Sequence, residues 1–154
     1  MEFSFSDGNY KASVRLMTAG DIESVARLGQ ATPELRAEGS RVSFYSSQQL
    51  EKFLMSKQVL VLVAHIERSF AGFCLSEYNL DTGRAQIQSL VVEKEYHKRG
   101  IGSTLIEAML RELTLLGIDR VFGLVQIANI GTKEFFKRHG FAIGANMTYV
   151  EKIL

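Results

Sequence analysis

The chain is poor in the residues that staple or anchor a protein. It has one cysteine, Cys74, in 154 residues, which excludes an internal disulfide framework. It has one proline, Pro33, and no tryptophan. The three histidines, His65, His97 and His139, stand far apart with no cysteine or paired carboxylate beside them, a pattern that predicts no metal site. The longest apolar run, Val59–Ile66, contains His65 and is far too short to span a bilayer. Residues 1–10 carry Glu2, Asp7 and Gly8 where a secretory leader has an apolar centre, so the expectation is a cytoplasmic protein with no membrane partner. Net charge is +1, too balanced for the electrostatic footprint of a nucleic-acid binder.

What is present suits one domain spanning residues 1–154. Hydrophobic content is 46%, with no internal repeat or low-complexity linker. A chain of this length buries about two thirds of its unfolded surface. Periodicity predicts a first strand over 12–17. Thr18 and Asp21 then open a short helix whose apolar face is Ile22, Val25, Ala26 and Leu28. Residues 29–46 are polar, contain Pro33 and Gly39, and predict a loop; 47–55 form a second helix around Leu50, Phe53 and Leu54. Strands are predicted over 59–66 and 69–78, joined by a turn at Glu67 and Arg68, and over 84–92 after a hairpin turn at 81–83. A major helix over 102–116 buries Leu105, Ile106, Met109, Leu110 and Leu113, and Gly117 ends it. A strand over 120–125, a helix from Asn129 to Gly140, and two strands over 141–144 and 148–154 complete the chain. Hairpins followed by strand–helix–strand predict an α/β (α+β) fold: a mixed, mostly antiparallel central sheet of about six to seven strands flanked by helices.

The most informative stretch is residues 86–116, where a strand runs through a polar connector into Arg99-Gly100-Ile101-Gly102-Ser103 at the mouth of the major helix. Two glycines there let backbone N–H groups approach a phosphate without interference from Cβ. The helix dipole and unpaired first-turn donors favour an anion by roughly 0.3–1 kcal/mol, and Lys98 and Arg99 add positive charge. A tight turn alone would also explain Gly-x-Gly. Two named motifs do not fit: a P-loop needs a lysine between Gly102 and Ser103, and a Rossmann fingerprint needs a small residue where Leu105 stands.

This setting resembles the GCN5-related N-acetyltransferase (GNAT) family, whose Gln/Arg-x-x-Gly-x-Gly/Ala signature binds the pyrophosphate of acetyl-coenzyme A. Here it reads His97-Lys98-Arg99-Gly100-Ile101-Gly102; His97 departs from the first position, and Lys98 or Arg99 supplies the cation. A second element, Asn129, Thr132, Phe136, Gly140 and Phe141, is similar to the family's Asn-x-x-Ala-x-x-x-Tyr-x-x-x-Gly-Phe helix. The strong resemblance covers residues 86–141. It implies a GNAT acyl-CoA acyltransferase fold with acetyl-CoA as acyl donor, an amine acceptor and no metal. It further implies a cofactor site of Leu90, Val91, Val92, His97, Lys98, Arg99, Gly100, Ile101, Gly102, Ser103, Asn129 and Phe136. Leu90 N–H would face the thioester carbonyl and Val92 the pantetheine arm. Many relatives pair through C-terminal strands, and the apolar Ile153-Leu154 end suits a homodimer as well as a plain last strand.

The implied reaction is attack of a neutral amine on a thioester. An amine with pKa ~10.4 is almost wholly protonated near neutrality, and freeing its lone pair costs about 4 kcal/mol. The residues for that task are unusual. Phe136 stands where the family often has a tyrosine acid, and it has no proton to give. By strand alternation Arg84, Gln86 and Gln88 share one face; Gln86 and Gln88 can hold a water that passes a proton outward but cannot accept one themselves. Leu124 is likewise inert. Glu77, a candidate base, is equally readable as a solvated strand-end carboxylate, and Tyr149, a candidate partner of the thiol, as a half-buried aromatic. Cys74 sits in an apolar run and reads as core. Glu34, Arg36 and Glu38 lie where the family shapes its acceptor pocket, and equally suit a charged surface loop. Two functions remain: an N-acetyltransferase working by direct attack in a ternary complex, or a catalytically weak acyl-CoA-binding sensor or partner-binding module.

Overall fold

A computed structural model describes residues 2–7, 10–36 and 39–154. Six strands form one sheet in sequential order: β1 (Glu2–Asp7), β2 (Tyr10–Leu16), β3 (Val59–Ile66), β4 (Ser69–Asn79), β5 (Arg84–Val92) and β6 (Arg120–Gly123). The first five are antiparallel to their neighbours, and β6 runs parallel to β5. Helices α1 (Ile22–Gln30) and α2 (Ser47–Phe53) lie between β2 and β3 in the chain, α3 (Ile101–Leu115) between β5 and β6, and α4 (Ile130–Arg138) follows β6. The mixed, mostly antiparallel sheet flanked by helices is the architecture that the periodicity predicted. The strand predicted over 12–17 is the second strand; β1 precedes it.

Alternation along the strands builds two cores. On one face Leu62, Ala64 and Cys74 meet Ile101, Leu105, Ile106, Met109 and Leu113 of α3. On the other Val61, Val63, Phe73 and Leu75 meet Val25, Ala26 and Leu28 of α1 and Leu50 of α2. Each buried Leu or Phe contributes about 1.5–3 kcal/mol, so these two layers carry most of the stability.

One expectation needs correction. The strands predicted over 141–144 and 148–154 do not form: residues 142–154 are exposed and belong to no strand. Their alternating pattern is competent for a strand, but the edge next to them, β6, is only four residues long. Alternation along β5 is also interrupted just past Gln88. The β4–β5 register steps from Leu75↔Ser89 to Ser76↔Ile87, which leaves Gln88 unopposed as a bulge. Beyond it the faces exchange, so Ile87 and Leu90 both pack on the α3 side while Val91 joins the α1 side.

A partly buried ion pair joins β2 to the start of α1. Asp21 takes Arg15 on both oxygens at 2.6 and 3.0 Å, and accepts the Thr18 N–H at 2.8 Å and hydroxyl at 2.9 Å. Burial raises the Asp21 carboxyl, but the Arg15 and Thr18 bonds outweigh it and hold the group below the usual carboxylate range. His65 Nε2 lies 3.4 Å from Asp21 Oδ1, while its Nδ1 is buried with no hydrogen-bond partner among the described residues. Burial, reinforced by Arg15 and opposed by Asp21, pushes the imidazole below its usual range.

Both shifts act with the same sign. Below about pH 6.5 an unfolded histidine takes up a proton that folded His65 resists, so stability falls as pH drops toward its folded value. Asp21 contributes stability above the ordinary carboxylate range and loses it as pH falls through its lowered folded value. Melting temperatures recorded from pH 8 to 4 should therefore decline toward acid. In His65→Gln the slope between about pH 6.5 and 5 should flatten while the more acidic limb persists. An identical slope in the variant would remove His65 from this account.

Candidate active site

The site begins where two strands part. Parallel pairing of β5 with β6 runs from Arg84↔Arg120 to Ile87↔Gly123 and stops, so no described strand pairs with residues 88–92 on that side. Glu93 donates its N–H to Ala71 O of β4 at 2.8 Å. Strand alternation then turns the N–H groups of Leu90 and Val92 the opposite way, into the gap. The Leu90 and Val92 side chains pack against the α3 core, leaving their backbone as the working part.

Past β5 the chain makes one 3-10 turn, Lys94–Tyr96, and reaches α3 through two left-handed residues, Lys98 at φ 61° and Gly100 at φ 77°. Gly100 is the helix N-cap and no side chain caps the first turn. The first intrahelical bond is Thr104 N–H to Gly100 O at 3.0 Å, so the N–H groups of Ile101, Gly102 and Ser103 point out of the helix end. A Cβ on Gly102 would lie 3.5 Å from Phe135 and 3.8 Å from Val92, ordinary contacts, so packing within the protein does not demand glycine there. Buried Ile101 anchors the turn. The Arg99 guanidinium stands 5.6 Å above the Tyr96 ring, and the His97 ring nitrogen Nε2 lies 2.8 Å from Val92 O. Bare donors beside Lys98 and Arg99, continuous with an open strand edge, fit a pyrophosphate and its extended amide arm.

The loop between α1 and α2 packs on the α1 face of the sheet. Phe44 lies on bare α1 backbone, where a Cβ on Gly29 would meet its ring at 2.2 Å. Tyr45 packs edge-on against Phe44 and Phe53, at 5.3 and 4.9 Å between ring centroids. Its hydroxyl donates to Glu77 Oε1 at 3.2 Å; burial and then the Glu77 charge push Tyr45 up to about 12. Glu77 is registered opposite Gln86 across β4 and β5. Arg27 of α1 pairs with Glu93, tying the helix to the end of β5. Two links reach the loop from the C-terminal half. Gln126 donates to Arg36 O at 3.0 Å, and Glu151 accepts from Ser40 Oγ at 2.8 Å, Arg41 N–H at 3.2 Å and Tyr149 hydroxyl at 2.8 Å. The Ser40 and Tyr149 bonds hold the Glu151 carboxyl below its usual range. A cavity of about 580 Å³ beside the same loop is lined by Gln30, Arg36, Phe44 and Gln49 among others, with no residue of β5.

Most residues named from the sequence come together here: Leu90, Val91 and Val92 on one strand end, His97 through Ser103 on the loop and helix that follow it. Val91 points its side chain into the α1 core. Asn129 acts as a helix cap, its Oδ1 accepting the Thr132 N–H at 3.1 Å. Phe136 is buried between Phe135 and Phe141. Tyr149 is half-exposed and committed to Glu151, within the segment that was expected to be strand. Leu124 is exposed beyond β6 and Cys74 is fully buried, where burial pushes its thiol up. Glu34 and Arg36 are exposed, and Glu38 lies outside the described residues. Among the described residues no cluster of three metal-binding side chains occurs, and no helix is long and apolar enough to cross a membrane. Sequence reasoning missed Tyr45 and the Arg27–Glu93 pair, which have no local signature because their partners lie far along the chain.

The sequence profile of the acetyltransferase (GNAT) family matches residues 30–141. The chain belongs to that family, whose acyl donor is acetyl-coenzyme A. Its fold is shared with an aminoglycoside acetyltransferase from an uncultured soil metagenomic sample, solved with sisomicin, at 21% identity and TM-score 0.75 over 93% of this chain and 96% of that one. It is also shared with the ribosomal-protein-S18-alanine N-acetyltransferase of Escherichia coli, at 16% identity and TM-score 0.71 over 87% and 79% of the two chains. A third likeness is the PaiA N-acetyltransferase of Thermoplasma acidophilum in complex with coenzyme A, at 19% identity and TM-score 0.75 over 88% and 92%.

The contacts at Gly102 separate folding from binding. Gly102→Ala should raise the melting temperature, since alanine in a helix is favoured by about 0.5–1 kcal/mol. Gly102→Leu should stay folded and weaken acetyl-CoA by about tenfold or more, equivalent to ~1.4 kcal/mol. Calorimetric titration reads the affinity; a folded Leu variant with unchanged affinity would remove the cradle.

Proposed function

We propose that the protein moves the acetyl group of acetyl-CoA to a primary amine by direct attack in a ternary complex. The observation that carries this is the strand gap: two backbone donors, Leu90 and Val92, face an opening that leads into the uncapped start of α3. Leu90 N–H polarises the thioester carbonyl and holds the developing oxyanion, Val92 N–H holds the pantetheine arm, and residues 97–103 hold the pyrophosphate. When bound, acetyl-CoA supplies the activated acyl group. Asn129 and Phe136 contribute by fixing α4 beside the mouth of the cleft.

Removing a proton from the acceptor is the larger demand, at about 4 kcal/mol for an alkylamine near neutrality. Glu77, with one oxygen held by Tyr45, is the carboxylate on the loop side and accepts that proton directly or through a water held by Gln86. Glutamine alone cannot accept it. The thiolate leaves without an acid, because Phe136 offers none. Similar structures include an aminoglycoside acetyltransferase and a ribosomal-protein alanine N-acetyltransferase, so the acceptor is read as a small amine, an amino acid or a peptide or protein N-terminus.

A second reading, acyl-CoA sensing with little turnover, is favoured by Phe136 at the acid position and by the engagement of the Tyr149 hydroxyl with Glu151. Free thiol release from acetyl-CoA, followed across a panel of amines, amino acids and peptides, decides between them. Amine-dependent release is the expected result; binding with no release across the panel favours the sensor. With a responding amine, Glu77→Gln should lower kcat about a hundredfold, within the range for general-base loss, and leave KM for acetyl-CoA unchanged. Full activity in that variant would exclude Glu77 as the base.

A further inference from the structure

Behind the cradle lies a titratable group that the reaction above does not use. His139 follows the last turn of α4, and its side chain is only 12% exposed. Its ring packs on Phe135, 4.7 Å between centroids. Nε2 lies 3.0 Å from Ser103 Oγ, and Nδ1 lies 3.6 Å from Glu107 Oε1. Ser103 is the third residue of α3, in the same uncapped turn as Gly102, and Glu107 is one turn further along that helix. A serine hydroxyl in the anion cradle is therefore backed by an imidazole, which is backed by a carboxylate.

Counting protons shows what this arrangement does. A serine hydroxyl has one hydrogen, and a neutral imidazole has one N–H. In the neutral tautomer that carries its proton on Nδ1, the side toward the Glu107 charge, Nε2 accepts the Ser103 hydroxyl. In that state Ser103 presents lone pairs to the cradle, which disfavours a phosphate. For Ser103 to donate toward a phosphate, Nε2 must become a donor to Oγ. Glu107 still favours a proton on Nδ1, so the ring carries both and pairs with Glu107 as a cation. Glu107 from α3 is a charged contact of the ring, and Phe135 is its aromatic contact on α4.

We infer that His139 is a positioning residue of the cofactor site, which through Ser103 couples pyrophosphate binding to uptake of a proton from solvent. The inference rests on the cofactor half of the reading above and is independent of the acceptor chemistry. The coupling makes acetyl-CoA binding tighten as pH falls. It also gives α4 a part in holding the cofactor with no direct contact from His139.

The test is calorimetric titration of acetyl-CoA at fixed pH in buffers of different ionisation enthalpy, which counts protons taken up. Any proton uptake elsewhere is common to every variant, so the readout is the difference from wild type. Ser103→Ala and His139→Phe should each lose that uptake and weaken binding about tenfold, as for a hydrogen bond to a charged group. The double variant should bind no more weakly than Ser103→Ala. His139→Gln, whose amide donates to Ser103 without titrating, should recover most of the affinity and none of the uptake. Melting curves without ligand check that each variant folds, and His139→Gln, a polar replacement, keeps the test available if the phenylalanine variant does not. Unchanged proton uptake in both His139→Gln and Ser103→Ala, or multiplicative losses in the double variant, would overturn the inference. Failure of wild type to bind acetyl-CoA would overturn the cofactor reading and this one with it. Binding without amine turnover would touch only the acceptor chemistry.

Discussion

The rest of the structure depends on the parting of β5 from β6 after Ile87↔Gly123. A strand normally satisfies its backbone groups on both sides, and a dry unpaired group costs about 1–3 kcal/mol. Here β5 continues for five residues beyond its partner, because β4 holds one edge as far as Gly72↔Val92 and α3 covers the Leu90 and Val92 side chains. The Gln88 bulge makes the two requirements compatible, turning Leu90 into the α3 core while its N–H faces the gap. The opening is thus a consequence of how the sheet is packed, and it presents donors at a spacing fixed by a strand.

Charge is divided across the opening in a way that the net value of +1 hides. On the α3 side the helix end, Lys98 and Arg99 favour an anion. On the loop side Glu77 and Glu151 are both held as hydrogen-bond acceptors, by Tyr45 in one case and by Ser40, Arg41 and Tyr149 in the other. In the proposed reaction this division suits a phosphate-bearing donor on one side and an ammonium-bearing acceptor on the other. The anion side is the more rigid, since α3 is fixed by Ile101, Leu105, Ile106, Met109 and Leu113, all fully buried. Fixed donors cost little reorganisation when charge arrives.

Features whose cause is local were legible in the sequence. Strand 84–92 and strand 59–66 have the boundaries that alternation predicts, and α3 differs from its predicted bounds by one residue at each end. The glycine cradle was legible for the same reason. Features set by pairing between distant segments were not. A bulge at Gln88 is visible only in the register with β4, and without it alternation assigns the wrong face to everything after it. Residues 141–154 show that alternation marks strand competence and leaves the docking edge unspecified. Tyr45 sits in a loop without period, and only the fold brings it to Glu77, thirty-two positions along the chain.

In the proposed reaction the burial of Phe136 accounts for a site that works without an acid at this position. Its ring fills the space between Phe135 and Phe141 and the apolar core around α3, where a tyrosine hydroxyl would need a partner or cost about 1–3 kcal/mol. Packing at this position therefore works against an acid. In the proposed reaction the thiolate is the easier product to release, whereas an ammonium acceptor must lose a proton before it can attack at all. A chain that places phenylalanine here gives up help on the less demanding step. In that proposal what remains is concentrated where the cost is greatest, at the Glu77 carboxylate that the Tyr45 hydroxyl holds.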